Sequence, residues 1–175
     1  MRKSIVILPL VLGFAGAIAL AGPASAADTP VTLAVAGGNL GITAPVGAVA
    51  LPGVVAGTDA TDSTIALGDV TVSDERGGEA GWVVSAVATA FAGPVSTTGA
   101  PVPTYTGYAA GVADSTGVVT VTATDLTTLD AVATVESGTA VTGVNVSTWS
   151  PTIDVTIPAG TLAGAYTSTI THSVL

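Results

Sequence analysis

The sequence predicts an all-β, antiparallel, sandwich-like domain, and three observations predict it. Thr and Val dominate the chain beyond its first 26 residues, and β-branched side chains favour the pleated backbone. The 22 glycines and 10 prolines recur with Asn and Asp at short intervals, which is the strand–turn rhythm of a sandwich or barrel. Two segments also alternate apolar and polar residues with period two, the mark of a strand with one buried face.

In chain order, Val31–Val35 and Leu40–Thr43 read as short strands separated by the Gly37-Gly38-Asn39 break. A longer strand is predicted over Ile65–Ser73, running into the charged, glycine-rich turn Asp74-Glu75-Arg76-Gly77-Gly78-Glu79. Trp82–Thr89 follows. Ala80 to Phe91 is apolar at successive positions, which predicts a central strand covered on both faces. Tyr105–Ala109, Val118–Thr124, Val132–Val135 and Ala140–Val146 read as further strands. Between them, Leu126 and Leu129 are spaced for a single helical turn, and the Thr and Val around them argue against more. Thr152–Ile157 alternates cleanly and stops at Pro158. In Tyr166–Val174, the residues Tyr166, Ser168, Ile170, His172 and Val174 share one face and Thr167, Thr169, Thr171 and Ser173 the other.

The N-terminus reads as a secretory signal. Arg2 and Lys3 precede an apolar run from Ile5 to Ala21, then Gly22-Pro23 and the small triplet Ala24-Ser25-Ala26. Cleavage is expected after Ala26, leaving residues 27–175 as one domain, secreted or at the cell surface, with no membrane anchor. The uncharged stretches Thr29–Thr58 and Ala80–Ala113 are broken by Pro and Gly and offer no run of spanning length. The absence of cysteine excludes disulfides and a lipid-modified cysteine, and suits a bacterial exported domain.

Loss of the signal leaves Arg76 as the one lysine or arginine against 12 carboxylates, a net charge near −11. No basic patch for nucleic acid can be assembled from that inventory. Enzymatic chemistry is equally hard to build. The one histidine, His172, lies on the apolar face of a strand, and no serine sits in a nucleophile elbow. Acidic pairs such as Asp125 and Asp130 do not match the dense oxygen ligands of a calcium loop. No cofactor, metal site or catalytic residue is expected.

Two features stand out as sites. Asp74 and Arg76 project to the same side of an extended chain and can pair, clamping their turn. The aromatics Trp82, Tyr105, Tyr108, Trp149 and Tyr166 suit either a core or a sugar-stacking face; for Trp82 the apolar flanks favour the core, and for Trp149 the two roles stay open.

Asp74-x-Arg76-Gly77 with Gly81-Trp82-Val83-Val84, and the terminal Tyr166-Thr167-Ser168-Thr169-Ile170-Thr171-His172-Ser173-Val174, resemble the WxL domain of Gram-positive surface proteins. In that family a D-x-R-G turn precedes a Trp-x-Leu motif, and a Y-T-x-x-(L/I)-x-W-x-L strand closes the chain. Here Val84 stands in a Leu position, His172 in the second Trp position and Val174 in the second Leu position. The resemblance implies non-covalent association with cell-wall peptidoglycan. Its candidate contact residues are Asp74, Arg76, Trp82, Val84, Trp149, Tyr166 and His172. A structural subunit that packs against other surface proteins, without wall affinity of its own, is the alternative.

Overall fold

Strands form where the β-branched stretches lie. The computed structural model describes residues 30–175, and among them there are nine strands and no helix. The strands are β1 (Leu40–Thr43), β2 (Thr61–Ala66), β3 (Val70–Asp74), β4 (Trp82–Ala88), β5 (Thr104–Ala109), β6 (Asp114–Ala123), β7 (Ala133–Trp149), β8 (Thr152–Ile157) and β9 (Ile170–Val174). The expected secretory signal, residues 1–26, falls outside the described residues. Among those residues no helix is long and apolar enough to cross a membrane. Contacts join Val35–Leu175 into one body.

All pairings are antiparallel. One sheet runs β1-β3-β7-β4-β9, with β6 added to β7; the other runs β2-β8-β5. The all-β sandwich is therefore as the composition predicts. Between the sheets lies a core whose largest members are Trp82, Trp149, Tyr108 and Leu129, with Val70, Val72, Val84, Val135 and Val155 around them. Each fully buried Val or Leu contributes about 1.5–3 kcal/mol by removal from water.

Several elements differ from expectation, each for a local reason. The strand predicted over Ile65–Ser73 is two strands in different sheets, β2 and β3. Gly68, at φ +93°, turns the chain between them. A second corner, Ser150-Pro151, carries the chain from β7 to β8, and the two corners are tied by Leu67 N–H donating to the Pro151 carbonyl at 2.8 Å. Conversely, the strands predicted at Val132–Val135 and Ala140–Val146 are parts of the 17-residue β7. Ala140 and Gly143 have φ of 50° and 74°, but they make bulges rather than breaks because β6 pairs with β7 before, between and after them, at Thr139, Thr142 and Val146.

β4 lies between β7 and β9 as a central strand, yet its outer face is not covered. Val83 is 43% exposed while Trp82 and Val84 are buried. Val31–Val35 forms no strand. Leu126 and Leu129 form no helical turn: Leu126 bridges Tyr108, and Leu129 is fully buried with its carbonyl accepting from Ala88 N–H. At the C-terminus only Ile170–Val174 is strand, while the alternation of exposure extends back to Tyr166 as the residue pattern predicts.

Candidate functional site

The chemistry-bearing side chains gather in two buried clusters and line one groove. The first cluster is built at the end of β3. Asp74 has 1% of its surface exposed and points inward. Arg76 returns over the turn to donate from Nε to Oδ1 and from Nη2 to Oδ2, both at 2.9 Å, a two-pronged pair. The same Nη2 donates to the carbonyls of Ala80 and Gly81 at 3.0 Å, so one guanidinium closes both ends of the turn, as the spacing predicts. These bonds hold the Asp74 carboxyl below its ordinary value, the Arg76 side-chain bond outweighing burial.

Behind the pair stands Asn145 of β7, whose Nδ2 donates to Asp74 Oδ2 at 3.4 Å. Its Oδ1 accepts from the Trp82 indole N–H at 3.2 Å. Arg76, Asp74, Asn145 and Trp82 thus form one chain from surface to core. Asn145 was not singled out in the sequence, although a polar residue between Val144 and Val146 was the available signal.

The second cluster centres on Tyr108 of β5. Its hydroxyl bonds to His172 Nε2 at 2.9 Å, and burial pushes its pKa up to about 12. The indole N–H of Trp149 is buried without a hydrogen-bond partner. Glu136 is more unusual. It is fully buried, neither carboxylate oxygen has a partner, and its pKa rises to about 7. Burial is the main cause, and the charge of Asp125 adds to it. A bulge explains how a glutamate comes to point inward. Val84 faces Glu136 but Ser85 faces Thr134, so Val135 is the extra residue, and Val135 and Glu136 are both buried. The pattern of alternation concealed this, since it assigns successive residues to opposite faces. Burial also lowers the pKa of His172, favouring the neutral imidazole.

The groove opens beside β9, with a volume of about 650 Å³. Tyr166–Ile170 and His172 form one wall and the irregular segment Ala44–Leu51 the other, over Phe91, Tyr105 and Ile153. Phe91 and Tyr105 stack with ring centres 4.8 Å apart. A smaller groove of about 270 Å³ adjoins it, sharing Leu51, Phe91 and Tyr166. No Asp, Glu, Lys or Arg lines either one.

The residues singled out in the sequence therefore separate. Asp74, Arg76 and Trp82 come together; Trp149 and His172 belong to the Tyr108 cluster; Val84 is core. Trp82 and Trp149, at 1% and 2% exposure, present no ring to a sugar. Trp149 is thereby assigned to the core. Tyr166 is half-buried at the meeting of the two grooves, its hydroxyl donating to the Leu162 carbonyl at 2.9 Å. The two motif segments lie side by side, Val84 opposite Val174 and Ala86 opposite His172. Compared with known protein families, curated proteins and solved structures, the chain matches none.

Proposed function

We propose that this chain is an exported bacterial surface protein, retained at the cell envelope without a covalent bond, whose contact surface is the groove beside β9 and whose partners are other protein chains. The observation that carries the reading is the division between buried motif and open groove. Asp74, Trp82, Val84 and Trp149 are at most 2% exposed, so they hold the fold together and are not free to touch a ligand. What the molecule offers to a partner is the uncharged groove with Tyr166 and His172 in its wall. An uncharged opening of mixed apolar and hydroxyl-bearing side chains beside a strand fits a polypeptide better than a hydrated glycan.

Wall binding is the second reading, and half-exposed Tyr166 is the observation that favours it, since its ring is the motif aromatic left at the surface. Neither reading assigns a catalytic step. The test is retention of the purified chain on intact Gram-positive cells, on cells shaved with protease, and on protein-free peptidoglycan. Retention on intact cells that is lost after shaving is expected. Equal retention on protein-free peptidoglycan would overturn the protein-partner reading in favour of the wall.

A further inference from the structure

We propose that the smaller groove binds a small uncharged molecule, with an apolar body of about two fused rings and one hydroxyl or carbonyl group that pairs with Ser63. Binding there does not depend on what the larger groove contacts.

The hydroxyl comes first. On the outer face of the β2–β8 pair, Thr64 donates to Asp154 and Thr156 donates to Asp62. Period two therefore turns Ser63 inward, opposite Val155 of the core. Ser63 is 6% exposed, and its Oγ is buried without a hydrogen-bond partner in the chain. A buried hydroxyl left unpaired weakens a fold, and the pairing this one lacks within the chain is open to a ligand.

The surroundings of Ser63 form a site. It lines the smaller groove beside Val155 and Ile157 of β8, and Phe91 and Leu162 add further apolar surface. Two other hydroxyl-bearing side chains line it, and both are engaged. Thr161 donates to the Pro158 carbonyl at 2.7 Å, and Tyr166 to the Leu162 carbonyl at 2.9 Å. Ser63 is the lining hydroxyl left to meet a ligand. The walls, residues 51–56 and 161–164, are tied close to each other, since Gly160 N–H donates to the Gly57 carbonyl at 3.1 Å. Such a site is formed before its ligand arrives.

Size and charge define the ligand. A cavity of roughly 150 Å³ holds one benzene ring. The groove's volume of about 270 Å³ suits a body about twice as large. No Asp, Glu, Lys or Arg lines it, and the chain carries a net −9. An anion is repelled by the molecule, and a cation finds no counter-charge at the site, which leaves neutral ligands.

Amide chemical shifts of the purified, isotope-labelled chain, titrated with naphthol, naphthalene and naphthoate, test the site. Naphthol is expected to saturate, with changes centred on Ser63, Phe91 and Val155. Naphthalene should bind more weakly and naphthoate not at all. Ser63→Ala should weaken naphthol binding roughly three- to tenfold, as loss of one hydrogen bond does, and leave naphthalene binding unchanged. Its thermal midpoint should equal or exceed the parent's, because an unpaired buried hydroxyl is removed. Ser63→Leu, which fills the space from its floor, should abolish binding of both neutral probes. Equal naphthol affinity for the parent and Ser63→Ala would overturn the proposal, as would changes centred on Ser168 and His172 of the larger groove. Failure of both neutral probes to saturate, or tighter binding of naphthoate than of naphthol, would overturn it as well.

Discussion

Arg76 reaches across its own turn to a carboxylate that has almost no contact with water, so its loss leaves the Asp74 charge buried without a counter-ion, held only by the backbone N–H of residue 76 and by Asn145. Fully buried pairs cost about 3–5 kcal/mol when one partner is removed. The Arg76 side chain is 31% exposed, and solvent screening lowers the expected cost of Arg76→Ala to roughly 2 kcal/mol. Urea denaturation measures it, and Arg76→Lys should recover less than half, since an ammonium cannot replace the fork. Glu136 acts with the opposite sign. Its folded pKa of about 7 lies above the ordinary 4.5, so the folded state holds a proton that the unfolded state releases. That stability is fully present below pH 4.5 and declines as pH rises toward 7, by on the order of 3 kcal/mol. His172 titrates the other way, with its folded pKa below the ordinary 6.5, and destabilises the fold on the acid side. The difference between the wild type and Glu136→Gln cancels the His172 effect. Followed by urea midpoints, the variant's relative stability should climb from pH 4.5 to about 7 and then level; a flat difference would sink the assignment.

At the scale of elements, β7 organises the larger sheet, and its irregularities have separate uses. The bulge at Val135 turns Glu136 inward, and Gly138 makes room for the Trp82 ring. A Cβ on Gly138 would stand 2.3 Å from that ring, and because Trp82 is buried the ring has little space to retreat. Gly138→Ala should therefore destabilise by about 1–3 kcal/mol and weaken the near-ultraviolet circular dichroism of the tryptophans. This contact also explains why β7 looked like two strands. Gly138 falls in the gap between the two predicted strands, whereas in the sheet it is the place where the Trp82 ring comes close, and Gly143, inside the second predicted strand, marks a bulge. Isolated, evenly alternating strands were legible in full, as at Leu40–Thr43 and Thr152–Ile157. Ile65–Ser73 was not, because a long β-branched run does not show where its chain leaves one sheet for the other.

For the whole molecule, an uncharged groove in an acidic body makes association a contest between burial and repulsion. Raising salt from about 0.01 M to about 0.5 M shortens the screening length from about 30 Å to below 5 Å. Retention on unshaved cells should hold or tighten over that range, since repulsion fades while burial at the uncharged groove remains; loss with salt would point to an ion-paired contact instead. Composition and periodicity by themselves determined the all-β class, the Asp74–Arg76 clamp and the core position of Trp82. Each depends on side-chain size, on β-branching or on residues within a few positions of each other. Tertiary structure decided the rest. The partnership of Asn145 with Asp74 and Trp82, the burial of Glu136 and the junction of Tyr108 with His172 all join residues from distant parts of the chain. Such meetings depend on sheet order, on a bulge and on two inter-sheet corners, none of which a local pattern encodes. The groove is the largest instance: Ala44–Leu51, Tyr105 and His172 make one surface although they are far apart in the chain.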